Sequence, residues 1–290
     1  MTVLAIGVAT GFVYALVAVG YSLIYRTTGI VNFAQGAFVM VGGMATYWLY
    51  KEHHVAYPVA AVGGVLIAAA VGAVLWVALV SPLWRRNSPA VVVILATLVF
   101  GDLVANCVAK GISADPQTLP TWIPGFRVPV GGASIDGQYV IVIAVALVSI
   151  IAIAVALQRS NIGRAMRACA ANSQTSQLLG IAPRRVGAAA MIFTAALAGL
   201  AGVVFTPAQY TDYGSALNYG IYGFVAATLG SFGDLWGALL GGVLLGVVTA
   251  LTGRYISTNY ELVIAFAILL VLLVLRPQGL LGRRAAAHHT

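Results

Sequence analysis

Long apolar runs follow one another along nearly the whole chain, and this constrains the fold more than any other feature. A helix rising 1.5 Å per residue needs about 20 apolar residues to cross the hydrocarbon core of a bilayer. On that rule, spans fall near 3–25, 36–50, 58–80, 90–107, 137–157, 188–206, 219–230, 237–252 and 260–275. The expectation is therefore an all-α, polytopic transmembrane helical bundle of about nine spans, with a range of eight to ten, forming one domain over residues 1–290. With 61% hydrophobic residues, 8% charged residues and a mean hydropathy of +0.98, too little polar surface remains to coat a soluble globule. Met1 to Tyr25 carries no basic stretch and no small-residue cleavage pattern before Arg26, so it reads as a first span and not as a removed signal.

The charges choose an orientation. Residues 158–187 separate two apolar runs and hold Arg159, Arg164, Arg167, Arg184 and Arg185 with no acidic residue. Short basic loops face the cytoplasm. Placing this loop inside brings Arg26, Arg85, Arg86, Arg276, Arg283 and Arg284 to the same face, eleven basic residues in all. Lys51, Lys110, Arg127 and Arg254 remain on the other face, together with Glu52, Asp115, Asp136, Asp212 and Glu261. The N-terminus is thus expected outside and the C-terminus inside. The net charge of +8 is explained by this orientation, which leaves nucleic acid unnecessary as a partner.

The largest external segment, 108–136, contains Pro116, Pro120, Pro124, Pro129 and Gly131-Gly132, and is expected to be an irregular surface loop. Tyr47, Trp48, Tyr50, Trp122, Tyr139 and Tyr260 flank spans at headgroup depth, where aromatic side chains anchor a bundle. Cys107 and Cys169 fall on opposite faces and do not form an intramolecular bridge in this topology. Paired His53-His54 beside Glu52, and His288-His289 in the tail, lack the ligand spacing of a metal site.

Two places depart from plain apolar helix, one in each half of the chain. The stretch Arg26–Gly36 separates the first and second spans with uncharged polar groups, Asn32 and Gln35 among them. Eight glycines between Gly220 and Gly246 punctuate the second place, around Gly230-Ser231-Phe232-Gly233-Asp234. Short, Gly-interrupted segments in corresponding halves read as discontinuous helices beside a transport pathway. Asn32, Phe33, Gln35, Gly36, Gly230 and Ser231 are the pathway candidates. The spacings Gly237-xxx-Gly241 and Gly242-xxx-Gly246 are equally those of close helix packing. Asp102 is the one ionisable residue placed inside a span, and it is expected to hydrogen-bond Asn106, one turn later, or a neighbouring helix, with a direct role in transport as the alternative.

Several chemistries lack their residues. Lys51 and Lys110 are the only lysines, and neither stands in a phosphate-cradling Gly-Lys-Ser/Thr loop. No His-Glu-x-x-His pair, Gly-x-Ser-x-Gly elbow or intramembrane relay of carboxylates and histidines is present. A membrane-embedded enzyme thus has no catalytic constellation. An ion-coupled carrier has little intramembrane charge beyond Asp102, so the energy source is expected to be another polypeptide.

Three stretches spread over nearly the whole length resemble the branched-chain amino acid ABC transporter permeases. They are Gly11-Phe12-Val13-Tyr14-Ala15-Leu16 through Gly29-Ile30-Val31-Asn32-Phe33-Ala34-Gln35-Gly36, then Ile162-Gly163-Arg164-Ala165-Met166-Arg167-Ala168-Cys169-Ala170 with Leu178-Leu179-Gly180-Ile181, and the close Leu275-Arg276-Pro277-Gln278-Gly279-Leu280-Leu281-Gly282-Arg283. Members typically carry His where this chain has Gln35, which keeps a hydrogen-bonding group but not a protonation switch.

The resemblance implies a multi-pass subunit of the bacterial inner membrane, with no catalytic, cofactor or metal site of its own. A second, homologous or identical permease would complete the pathway, a periplasmic binding protein would deliver cargo, and two cytoplasmic ATPase subunits would hold ATP and its Mg²⁺. The cargo would be a branched-chain or other hydrophobic amino acid, with urea or a short amide as the alternative within the class and a stand-alone channel or carrier as the rival outside it. The arginine-rich loop would be the coupling segment, through Arg164, Ala165, Arg167, Ala168, Leu178, Leu179, Gly180 and Ile181. Its own residues support helices there: Ala165, Ala168, Cys169 and Ala170 tolerate helix, Asn172 or Ser173 suits a second N-cap, and Gly180 suits a stop. Met166, Leu178, Leu179 and Ile181 are expected to be exposed there, with no membrane to enter.

Overall fold

A computed structural model describes residues 2–130, 133–276 and 278–281. Gly131, Gly132, Pro277, Gly282, Arg283, Arg284, His288 and His289 lie outside the described residues. The elements are α1 (Thr2–Thr28), α2 (Gln35–Tyr47) running into a π-helical turn (Trp48–Glu52), and α3 (Tyr57–Leu75) continuing through a second π turn (Trp76–Val80) into α4 (Ser81–Arg85). Then come α5 (Ala90–Gly111), β1 (Arg127–Val130), β2 (Ala133–Asp136), α6 (Gly137–Arg159), α7 (Asn161–Ala171), α8 (Ser173–Leu178), α9 (Pro183–Phe205), α10 (Ser215–Gly230), α11 (Leu235–Tyr255) and α12 (Glu261–Leu275).

Among the described residues, seven helical stretches are long and apolar enough to cross a membrane: α1, α3 with α4, α5, α6, α9, α11, and α12 with the 3₁₀ turn before it. The two other apolar runs also fold as helices, but α2 has 13 residues and α10 has 16. α10 is shorter than the length that hydrocarbon requires, and α2 approaches that length only through its π turn, which ends on the charged Lys51 and Glu52. The reason for α2 is its starting depth. The Gln35 side chain lies against Gly20, eight residues before the end of α1, so α2 begins about 12 Å inside the bundle.

α1, α2, α9, α10 and α11 form the centre, where Val17, Tyr21, Phe38, Met191, Leu229 and Leu245 are fully enclosed. The outer helices invert the soluble pattern. Val59, Val62 and Leu66 of α3 and Leu270 and Val274 of α12 turn outward, as a hydrocarbon solvent requires. Lipid tails give helices no hydrophobic reason to associate, so close approach of small residues must hold the centre. Gly242 and Gly246 of α11 lie against the main chain of Ala15 and Gly11 on α1. For this pair, the packing reading of the glycine spacing is the correct one.

One expectation fails outside the helices. Segment 108–136 is not wholly irregular, because α5 runs on to Gly111 and β1 and β2 pair antiparallel, with Arg127 opposite Asp136 and Val128 opposite Ile135. Pro129 is tolerated because a two-stranded hairpin consists only of edges.

Any side chain at Gly246 meets α1 backbone, whereas Gly111 faces open space. Gly246→Ala is therefore expected to destabilise the detergent-purified protein by about 1–3 kcal/mol. Gly111→Ala is expected to leave stability unchanged or raise it by less than about 1 kcal/mol. Thermal unfolding of the two variants, side by side with the parent, checks both values.

Candidate functional site

The helices carry nearly all the described arginines to one end of the bundle. Arg26 and Arg167 line one cavity with Trp84, whose neighbours are Arg85 and Arg86. Arg184 Nη2 donates to Ser81 Oγ at 2.7 Å, tying the start of α9 to α4. Arg276 follows α12, and just beyond it Leu280 and Leu281 donate main-chain hydrogen bonds to the carbonyls of Leu229 and Gly230 at 2.9 and 3.3 Å. At the opposite end, Arg254 and Glu261 share a cavity with Val3 and Gln209, and Gln117 pairs with Thr211. Tyr50, Tyr57 and Trp122 pack edge to face there, which joins two of the expected anchoring aromatics.

α7 and α8 form the cap of the arginine end. Ser160 Oγ accepts from Gly163 N at 3.0 Å and starts α7, while Asn172 Oδ1 accepts from Thr175 N at 2.9 Å and starts α8. Gly180 then takes φ +79°, and the N–H groups of Gly180 and Ile181 close the last turn onto Gln177 and Ser176 at 3.0 Å. One face of α7, made of Gly163, Met166 and Cys169, is buried toward α1, α6 and α9. Burial pushes the Cys169 thiol above its ordinary pKa, with a hydrogen bond from Ser176 working against the shift.

Arg164 and Arg167 point outward and bond Asn161 Oδ1 and the Leu157 carbonyl, with Ala165 and Ala168 half-buried between the faces. Leu178 is 88% exposed and Leu179 75%. Two expected exposures are corrected. Met166 is buried and Ile181 half-buried, because i, i+3, i+6 spacing from Gly163 turns Met166 into the bundle and Ile181 packs on the core as the chain enters α9. The exposed apolar patch is thus narrower, centred on Leu178 and Leu179.

The pathway candidates separate into two places. Asn32, Phe33, Gln35 and Gly36 stand where α2 begins inside the bundle. Asn32 Oδ1 accepts from Ala34 N at 3.1 Å and its Nδ2 donates to Met191 Sδ at 3.3 Å, while Phe33 N donates to Thr97 Oγ1 at 3.1 Å. Gln35 is fully enclosed: Nε2 donates to the Thr194 carbonyl at 3.0 Å and Oε1 finds no partner among the described residues. Gly36 lies against Ala216 and Gly220 of α10, and Tyr21 Oη donates to the Gly220 carbonyl at 3.1 Å. Gly230 and Ser231 sit about 15 Å farther along α10, at the arginine end. There Ser231 has φ 112°, Gly233 has φ 90°, and Asp234 Oδ2 caps α11 by accepting from Gly237 N at 2.8 Å.

Beside the first group a cavity of about 500 Å³ opens between α2, α5 and α10. Phe33 and Ala37 wall it on one side, Gly101, Asp102 and Asn106 on another, and Leu217 and Gly220 on a third. Of the six candidates, only Phe33 lines it. Asp102, singled out in the sequence as a carboxylate inside an apolar span but not counted among the pathway candidates, lines it as well. The expected bond to Asn106 is not made by the carboxylate, since Asn106 Nδ2 donates to the main-chain oxygen of Asp102 at 2.9 Å.

A polytopic helical bundle with interrupted central helices, a membrane-depth cavity and a basic helical cap has the build of a transport permease. The family model for the permease component of branched-chain amino acid transport systems matches residues 3–273, and the chain belongs to that family. It is 33% identical to the high-affinity branched-chain amino acid transport system permease protein LivH of Escherichia coli K12, across 96% of this chain and 94% of that one. The corresponding BraD protein of Pseudomonas aeruginosa is 30% identical over the same shares. A second Escherichia coli permease protein, LivM, matches 43% of this chain and 29% of its own length at 30% identity. No solved structure matches the chain.

Asn172→Ala removes the α8 cap and is expected to cost about 1 kcal/mol locally. Amide exchange over 173–178 should then quicken about fivefold with the rest of the protein unchanged, and hydrogen-exchange mass spectrometry reads this directly.

Proposed function

We propose that the chain is the membrane permease of an ATP-driven importer of branched-chain or other hydrophobic amino acids in the bacterial inner membrane. In this reading the N-terminus lies outside and the arginine end in the cytoplasm, in keeping with the positive-inside rule. The chain crosses nine times, with α2 and α10 as shortened crossings whose ends are walled by protein. A second permease, related to this chain as LivM is, completes the pathway across the open side of the α2–α5–α10 cavity. A binding protein supplies the outer face. Two ATPase subunits, which carry ATP and Mg²⁺, work the inner one.

The observation that carries this reading is the cap. Leu178 and Leu179 are presented to water at the end of a helix held by Asn172 and Gly180, beside Arg164 and Arg167. Burying one such leucine in a partner contributes about 1.5–3 kcal/mol, and the guanidinium groups add specificity. Because α7 packs on α1, α6 and α9, a push on this cap reaches the central helices instead of being absorbed by a loose loop. ATPase closure would thereby shift the bundle between inward-open and outward-open states.

Leu179→Asp removes the apolar contact, and Gly180→Val places a β-branched residue at φ +79°, at a local cost of about 1–2 kcal/mol with no neighbour to clash. The double variant, reconstituted with its partner chains, is expected to insert normally yet lose at least tenfold in ATP-driven leucine uptake relative to ATP hydrolysed. Uptake at the parental rate would remove the coupling role from this cap.

A further inference from the structure

Asp102 stands in the wrong solvent for a carboxylate. It is about 18 Å from one end of α5 and about 14 Å from the other, at 1.5 Å per residue, in a helix with no other charged side chain until Lys110 in its last turn. It is nonetheless exposed, and its carboxylate accepts no hydrogen bond among the described residues. Leu98, Val99 and Leu103 beside it are exposed as well, so this face of α5 would meet lipid if nothing covered it. Hydrocarbon does not solvate a carboxylate, and an ionisable group at this depth marks a wet cavity or a polar partner.

The structure supplies the cavity. Asp102 and Asn106, one turn apart, are its polar groups on α5, and the facing wall is mostly apolar, with Phe33, Ala37, Leu217 and Gly220 and the ring of Tyr213. The volume of about 500 Å³ falls within the range of small-molecule sites. Gly101 approaches Ala34 so closely that a Cβ there would lie 3.3 Å from the Ala34 Cα, which brings Asp102 to the level at which α2 begins. The carboxylate therefore sits at mid-depth, where both halves of an alternating-access cycle must pass a cargo.

We propose that Asp102 is the transient counter-charge for the ammonium group of an α-amino acid crossing this cavity, with Asn106 as a further polar contact and the apolar wall facing the cargo's side chain. This assignment rests on the permease reading above and adds a residue and a recognised group to it. One carboxylate against one ammonium, with few other charges, binds the cargo loosely enough to release it.

The test uses the complete transporter with its binding protein in proteoliposomes, and leucine as the probe. Asp102→Asn is expected to lower ATP-driven leucine uptake at least tenfold, while basal ATP hydrolysis and co-purification of the second permease stay unchanged. In a Cys107→Ser, Cys169→Ser background, Asp102→Cys should be equally slow. Modification with a sulfonate-bearing methanethiosulfonate should then raise uptake at least threefold, and the uncharged methyl reagent should not. Parental uptake by Asp102→Asn would overturn the assignment. Loss of the second permease from Asp102→Asn preparations would overturn it in favour of a purely interfacial role, as would equal effects of the charged and neutral reagents. Absence of leucine uptake by the unmodified complex would instead remove the permease reading beneath it.

Discussion

Hydrocarbon cannot hydrogen-bond a peptide group, so every N–H and C=O at membrane depth must find its partner within the protein. Continuous helices meet this requirement by themselves, and α1, α6, α9 and α11 do so with barely a polar side chain involved. The two interruptions meet it only with help. Where α2 begins inside the bundle, Asn32 and Thr97 accept the N–H groups of Ala34 and Phe33. Where α10 ends, the chain beyond α12 returns to donate to Leu229 and Gly230, and Asp234 caps the next helix. Asn32 and Thr97 are what permit α2 to start away from the end of the bundle.

Beside the start of α2 lies the cavity between α2, α5 and α10. Around this space the packing is stiff, since glycines bring α1 onto α11 and α2 onto α10 at backbone contact. The cap formed by α7 and α8 packs through Met166 and Cys169 on α1, α6 and α9, and α1 and α9 pack in turn on α10 and α2. Force applied at Leu178 and Leu179 therefore has a continuous solid path to the helices that wall the cavity.

Much of this was legible in the sequence, for physical reasons that differ by feature. All nine apolar runs coincide with helices, because hydropathy alone decides what hydrocarbon accepts. Asn172 and Gly180 behave as cap and stop, because capping depends on residues three or four positions apart. The depth at which α2 starts was not legible, since it is set by contacts such as Gln35 to Thr194, 159 residues away along the chain. The short run at 219–230 was legible, since α10 stops at Gly230, where Ser231 and Gly233 take positive φ. Met166 was placed on the wrong face although its spacing to Gly163 and Cys169 marks one buried stripe, and the hairpin at 127–136 was hidden by Pro129. Asp102 was visible as an anomaly, but only the cavity beside it shows what a carboxylate there can meet.

The account turns on which side of the membrane the arginine end occupies, and substituted-cysteine labelling answers this most directly. With Cys107 and Cys169 replaced by Ser and Leu178→Cys introduced on the exposed cap, a membrane-impermeant maleimide should label the protein in inside-out vesicles and leave it unlabelled in intact spheroplasts. Labelling from the outside in spheroplasts would put the cap beyond the reach of any cytoplasmic ATPase and contradict the account.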